Sequence, residues 1–499
     1  MVHYVVIKKS HLLMQKIIIN NFGSIKYAEI EVKKILVLIG EQASGKSTIA
    51  KLIYFFKSLR DDLFSQIYQD TQRDNFDITS DLIFPIREKF YDFFGSTLHL
   101  PNFEIKFYYS VENDKYLTLN LNSQRRLHAD IQFLDPDFRT FAPAIKKLFQ
   151  QGLNTNDIYK ELAYEQNRIR YAQRLSKRLN ELFESYHTDS LFVIAGRNAT
   201  VSYSDFFERY LSASIQSSLE ENRNKPIDEN EEKEERENNK KAFQRKQQTI
   251  DETLMLKFME RVARIKGTFK KFNNFEGLIE SYEDDENAKQ RLYSIKNRID
   301  EILKGEYRID NWGEKIVFNT QKGQKREYVH LSNASSGQQE SIRILQDIFL
   351  NILDNSKTLR ILEEPEAHLF PIAQKQLIEL LALMVNHNND NQLIITTHSP
   401  YVLTVFNNLL FANRVVEKNP STESEVAQII PQDSWLSAKD FSAYSLGNQS
   451  VSEDTSYCES IFNQEKGTIQ QNYLDTVSEI LGGDFQALYS IHAKTFKRK

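Results

Sequence analysis

The sequence predicts an α/β protein built around a parallel sheet and split by a large helical, coiled-coil-like insertion, and three observations predict it. Residues 35–39 form a continuous apolar run of the kind buried on both faces, and they pass through a glycine-containing turn straight into a helical pattern. Two later apolar runs, 359–362 and 393–397, each end in a polar turn. Between these blocks lies a long stretch that is helical in pattern and in part intensely charged.

Taken in order, residues 15–20 and 28–32 read as short strands before the buried one. From 47 to 60, Ile49, Leu52, Ile53 and Phe56 recur at helical spacing with few breakers. Residues 62–100 are aromatic and acidic without a clear period, and 103–109 with 116–121 suggest a hairpin. From 138 to 187 the pattern is helical, with Leu175, Leu179 and Leu182 on one stripe and Arg170, Arg174, Lys177 and Arg178 beside it. Those cations read first as a solvated face and second as a nucleic-acid or partner face. Residues 191–194 return to strand character before Ala195-Gly196-Arg197. The run 219–247 is too polar to bury apolar surface and is expected to be the exposed tip or disordered link of the insertion. Strands resume at 315–318 and 328–331. The expected organisation is an N-terminal part of the sheet domain over 1–135, the helical insertion over 136–310, the C-terminal part over 311–432 and an extension over 433–499.

At 499 residues the chain has room for about three domains, or two with a large insertion. Hydrophobic residues at 40% and charged residues at 27% are ordinary for a folded, water-facing protein. The formal charge of −5 argues against coating nucleic acid by bulk charge, so any such contact would be a local patch, for example around Lys266, Lys270 and Lys271. A single cysteine, Cys458, leaves no internal disulfide framework and fits a reducing compartment, so a cytoplasmic protein is expected. The first ten residues lack a signal-peptide pattern, and no apolar run approaches the roughly 20 residues that a membrane span needs. The tail 494–499 is basic and reads as a solvated end.

The strongest signal is Gly40-Glu41-Gln42-Ala43-Ser44-Gly45-Lys46-Ser47, followed by Thr48. It fits the phosphate-cradling pattern and lies between a buried strand and a helix start, as that cradle requires. Backbone N–H groups there point at phosphates, Lys46 can neutralise β and γ oxygens, and Ser47 can hold Mg²⁺. Downstream, Glu363-Glu364-Pro365-Glu366 ends the strand 359–362. Two carboxylates there can divide labour, Glu363 toward the metal and Glu364 toward an attacking water. His398, in Thr397-His398-Ser399-Pro400, closes the next strand and can reach a γ-phosphate from the same sheet edge. Ser335-Ser336-Gly337-Gln338 opens a helix and offers a hydroxyl and backbone donors to an anion.

Together these four strings resemble the ABC-type ATPase heads of the RecF, SMC and OLD group. Residues 19–25 and the string Glu363 to Leu369 are most similar to OLD-like ATPases. The resemblance covers about 1–60 and 325–416, with 193–197 a weaker match. It implies a head split by the insertion, with ATP and Mg²⁺ as cofactors and Lys46, Glu364 and His398 as the catalytic set. It also implies a twofold dimer or higher assembly, in which Ser335 and Gly337 complete the partner's nucleotide site. Ser336 stands where that family commonly has glycine, and Glu363 where it commonly has aspartate. Many OLD-like chains also carry a nuclease domain with an Asp-x-Asp motif. Residues 401–499 hold Asp433, Asp440, Glu453 and Asp454 but no such motif, so intrinsic nuclease activity is not expected. Stand-alone ATPases of this kind resemble the ATPase subunits of bacterial anti-phage systems such as PARIS or Septu. That implies a protein effector such as a nuclease. DNA repair or chromosome maintenance, with direct DNA binding, is the alternative.

Overall fold

The computed structural model describes residues 14–69, 76–134, 136–150, 158–202, 250–282, 286–318, 327–447, 457–470, 483 and 485–492. The charge run 219–247, the first ten residues, Glu453, Asp454 and the tail 494–499 lie outside the described residues. The chain divides into two compact units, one of Met1–Lys33 with Leu52–Tyr186 and one of Lys34–Lys51 with His187–Lys499. Residues 136–310, expected as a single insertion, are divided between the two at Tyr186.

The first unit is an antiparallel sheet packed on aromatic-rich helices. Strands β1 (Lys16–Phe22) and β2 (Ile25–Glu31) form a tight hairpin whose turn uses Asn21 and Gly23 in left-handed conformations. After β3 (Ile35–Gly40), which belongs to the second unit, come β4 (Glu104–Ser110), β5 (Lys115–Leu121) and β6 (Leu127–Ile131). The sheet order is β2-β1-β4-β5-β6, and the expected hairpin is the antiparallel pair β4 and β5. Period-two alternation turns Ile17, Ile19, Ile105, Phe107 and Tyr109 inward. There Phe56 stacks on Phe107 at 5.1 Å, and the Tyr109 hydroxyl donates to the Phe56 carbonyl at 3.0 Å. Among the described residues of this unit, Lys57 is a buried cation with no carboxylate in an ion pair with it, unlike Lys146 beside Asp81 at 3.6 Å. Lys57 is buried and donates to the Gln15 Oε1, and burial lowers its pKa to about 7. The stretch read as helical over 138–187 forms the helices Pro136–Gln150 and Ile158–Phe183. Leu175, Leu179 and Leu182 are buried, whereas Arg170, Arg174 and Lys177 are exposed.

The second unit is built on a six-stranded, mainly parallel sheet. Its strands are β3, β7 (Asp189–Val193), β11 (Thr358–Glu363), β12 (Gln392–Thr397), β13 (Phe441–Leu446) and β14 (Cys458–Ser460). The last follows β8 (Glu306–Asp310), β9 (Gly313–Phe318) and β10 (Glu327–His330) of a separate antiparallel sheet. The main sheet has the order β14-β13-β3-β12-β11-β7, parallel throughout except at β14. Strands β3, β11, β12 and β13 are buried along their whole length, which is why β3, β11 and β12 read as largely apolar runs rather than alternating ones.

Helices Ser336–Leu353, Pro371–His387 and Pro400–Lys418 contribute to the core of this unit. Helix Ile250–Phe272 joins the same core through Phe258, Val262, Ile265 and Phe269, and helix Glu286–Leu303 through Ile295 and Ile299. Buried arginines here are paired: Arg343 with Glu314 at 2.6 Å, and Arg360 with Asp347 and Asp189, each at 2.6 Å. Burial alone would raise Glu314, but Arg343 outweighs it and holds the carboxyl at about 2. Among the described residues no helix is long and apolar enough to cross a membrane.

Candidate functional site

Parallel register brings five strand ends to one sheet edge. Leu446 of β13 lies beside Gly40 of β3, Ile39 beside Thr397 of β12, Thr396 beside Glu363 of β11, and Leu362 beside Val193 of β7. Ligands of open α/β sheets bind at this carboxyl edge. The turn Gly40 to Gly45 leaves β3 there and enters the helix Lys46–Gln69.

Backbone geometry explains the glycines of that turn. A Cβ on Gly40 would lie 2.2 Å from the Leu446 carbonyl oxygen, and Gly40 and Gly45 both have positive φ. Ala43 also adopts φ 61°, a strained value for a residue with a side chain. The turn is braced from the late part of the chain. The Tyr457 hydroxyl donates to the Ser44 carbonyl at 2.6 Å, and Gly447 packs so closely that a Cβ on it would meet the Ser44 Cβ at 2.8 Å. Glu41, Ser47 and Thr48 are half-buried, Gln42 and Ala43 exposed, and Ser44 buried.

Lys46 is buried with its Nζ turned onto the turn's own oxygens, the carbonyls of Gly40 at 3.0 Å and Glu41 at 2.7 Å and the Ser44 hydroxyl at 3.4 Å. Burial lowers its pKa to about 8, against an opposing pull from the Glu364 carboxylate. Glu364 in turn pairs with His398, Oε1 to Nε2 at 3.2 Å. Glu364, from the second of the three strings that predict these residues, thus interacts with both Lys46 and His398.

Glu364 stands in the left-handed region at φ 43°, immediately before Pro365, a position that disfavours helical backbone. Both of its main-chain polar groups are held: its N–H donates to the Thr396 carbonyl at 2.9 Å, and its carbonyl accepts from Arg197 at 3.0 Å. Glu363 is buried. Its Oε2 accepts from the Ala195 N–H at 3.3 Å, and its Oε1 has no hydrogen-bond partner. A buried carboxylate oxygen left open costs free energy unless a cation or donor meets it. Among the described residues no group of three or more His, Cys, Asp or Glu could hold a metal by itself.

Two residues that sequence reasoning did not assign hold this edge together. Glu366 is buried and accepts from the Thr397 hydroxyl, whose oxygen accepts from the Ser399 N–H at 2.9 Å, so the turn carrying His398 is tied to the acidic turn. Burial pushes the Glu366 carboxyl above its ordinary pKa, opposed chiefly by the Thr397 hydrogen bond. Glu340, also buried, pairs with Arg197 at 3.3 Å. Acids on a helix or turn carry no signal of such partners in a single sequence.

The segment Ser335–Gln338 lies elsewhere in the same unit and is locally satisfied. Ser335 caps the helix Ser336–Leu353 in a reciprocal capping box with Gln338, and the Gln338 side chain also donates to the Leu303 carbonyl at 2.6 Å. Gly337 is buried, and a Cβ there would sit 2.6 Å from the His368 carbonyl oxygen. Ser336, the departure from the expected glycine, is exposed at the first helical position, where a side chain meets no such barrier.

The model of the AAA ATPase domain family matches residues 14–403. No curated protein matches the chain in sequence. Among solved structures, an SMC head bound to the C-winged-helix domain of ScpA is similar at 12% identity and a TM-score of 0.33. The match covers 79% of this chain and 92% of that one. The SMC head domain from Thermotoga maritima is similar at 12% identity and a TM-score of 0.29 with the same coverage. The Pyrococcus furiosus Smc head with an extended coiled coil, bound to the C-terminal domain of ScpA, is similar at 14% identity and a TM-score of 0.29, covering 79% and 91%. With the strand, phosphate-binding turn and acidic strand end all inside the matched residues, this chain belongs to the AAA ATPase domain family.

Proposed function

We propose that the chain binds ATP at the edge formed by β3, β11 and β12, hydrolyses it as a twofold dimer or higher assembly, and uses the cycle to gate a partner effector. The observation that carries this reading is the convergence of Lys46, the open oxygen of Glu363 and the Glu364–His398 pair on one carboxyl edge. Lys46 would leave its own turn's carbonyls for the β and γ phosphates, with the turn's N–H groups around them. Ser47 and Glu363 would hold Mg²⁺, which supplies charge neutralisation at the phosphates when bound. Glu364 would orient the attacking water, and His398 would contact the γ-phosphate and keep Glu364 aimed. Ser335 and Gly337 would meet the nucleotide of the facing copy, so that ATP bridges two chains and its hydrolysis releases them. The setting in bacterial anti-phage defence rests on the resemblance of the Glu363 to Leu369 string and the opening residues to OLD-like ATPases.

The test is ATP binding, turnover and assembly mass for the wild type and Glu364→Gln. The variant is expected to bind ATP with wild-type affinity, to turn over about 100-fold more slowly, and to remain dimeric with ATP. Absence of ATP binding by the wild type, or unchanged turnover in the variant, overturns the reading.

Direct DNA binding is the second reading, and one observation favours it. Arg170, Arg174 and Lys177 present an exposed basic stripe on the helix Ile158–Phe183. Of the patch expected from sequence, Lys270 and Lys271 are exposed, while Lys266 is half-buried and 3.8 Å from Glu314. Steep loss of DNA binding with salt, dependent on ATP, would favour this reading; stable co-purification with a neighbouring gene's product would favour the effector.

A further inference from the structure

Arg197 is the most heavily engaged side chain at the site edge, and nothing in the chemistry described above uses it. It follows β7 and is fully buried. Its Nη1 donates to the carbonyls of Ile194 at 3.0 Å and Glu363 at 2.7 Å, its Nη2 to the carbonyl of Glu364 at 3.0 Å, and its Nε to the carbonyl of Glu340 at 3.3 Å. The Arg197 main-chain N–H donates to the Glu340 Oε2 at 3.0 Å. One planar guanidinium therefore grips both residues of the acidic turn and, through Glu340, the first turns of the helix that Ser335 caps. Main-chain carbonyls are its acceptors at the turn, so it leaves the carboxylates of Glu363 and Glu364 free for chemistry while fixing the backbone that aims them.

We infer that Arg197 is a positioning residue that links the Ser335–Gln338 helix to the placement of Glu364, so that contact of that helix with nucleotide is felt at the hydrolytic carboxylate. The inference rests on the ATPase reading above and adds a regulatory path to it. The physical basis is the left-handed backbone of Glu364, which persists only while its surroundings over-determine it. Thr396 holds that residue from one side and Arg197 from the other. Removing Arg197 from the set lets the turn relax and the carboxylate swing off line. Lysine cannot replace it, because an ammonium offers a point of charge where four divergent carbonyls require a planar fork.

The experiment compares the full chain with Arg197→Lys, Glu340→Gln, Glu364→Gln and the double variant Arg197→Lys with Glu364→Gln. It measures the Kd for a fluorescent ATP analogue, kcat with Mg-ATP, and the thermal midpoint. Arg197→Lys is expected to leave the Kd within about twofold and to lower kcat by about 10- to 100-fold, the range for partners that orient a catalytic group. The double variant is expected to turn over no more slowly than Glu364→Gln alone, since both changes act through one carboxylate. A purely structural arginine would lower the folded fraction and leave kcat per folded molecule unchanged. That result, or a kcat within threefold of wild type, overturns the inference. Where Arg197→Lys does not fold, Glu340→Gln decides: a kcat loss at unchanged Kd supports the link, and wild-type turnover removes it. A wild type that fails to bind ATP would sink the ATPase reading itself, a result distinct from either.

Discussion

Lys46 and Lys57 lie on one helix, Lys46–Gln69, in different compact units, and both are buried and shifted downward by desolvation. Lys46 is surrounded by carbonyls of a strained turn at a sheet edge and feels the Glu364 carboxylate, which pulls its pKa back up. Lys57 is buried with the Gln15 amide oxygen as its acceptor, and no carboxylate opposes the shift. Burial is thus common to both and decides nothing about function. What separates them is their surroundings: Lys46 lies at the carboxyl edge of the parallel sheet against the carbonyls of its own turn, whereas Lys57 lies in the first unit against a side-chain amide.

The sharpest way to break this comparison is Lys46→Ala, which is expected to lower ATP turnover by about 100-fold or more while the thermal midpoint stays near wild type, through loss of charge-assisted bonds to phosphate. Its pH dependence carries a second check. Because the free amine titrates at about 8, wild-type ATP affinity should weaken as pH rises through that value, and Lys46→Ala should lose this dependence. Unchanged turnover in the variant would place Lys46 with Lys57 as a core lysine.

Next in size is Glu314→Gln, which strands Arg343 in the core of the second unit without its counter-ion. A loss of about 3–5 kcal/mol is expected in denaturant unfolding. A loss below 1 kcal/mol would mean that pairing matters less for buried cations here than the contrast with Lys57 implies.

The smallest expected change is Lys57→Met. Removing a buried amine whose acceptor is an amide rather than a carboxylate should stabilise the protein by about 1–4 kcal/mol at pH 6. Folding depresses the Lys57 pKa from 10.5 to about 7, so between these values the unfolded chain binds the extra proton and stability rises with pH. The contribution is complete above the unfolded value and is lost as pH falls to about 7. Unfolding curves across pH 7–10 should therefore rise for wild type and be flatter for Lys57→Met. Parallel curves would show that Lys57 stays charged when folded.

Much of the site was legible because its parts are local. The phosphate-binding turn needs glycines at fixed offsets from a buried strand, and the Glu363-Glu364 and His398 turns follow apolar runs whose two-face burial forbids alternation. The parallel sheet followed from the same runs. What stayed hidden depends on distant partners. Tyr457 and Gly447 reach the phosphate-binding turn from the far end of the chain, and β13, Phe-Ser-Ala-Tyr-Ser-Leu, is too polar in composition to announce itself as a central strand. Helix Ile250–Phe272 carries a readable apolar stripe, but the stripe does not say that it faces the core of the ATPase sheet rather than another insertion helix.

The position of β3 has a consequence for synthesis on the ribosome. The strand that launches the phosphate-binding turn is translated well before both strands flanking it, Gln392–Thr397 and Phe441–Leu446. Until then its hydrogen-bonding edges have no partner, and Tyr457 is not yet present to brace Ser44. A nascent chain therefore completes the sheet edge around the phosphate-binding turn only once these later strands have been made.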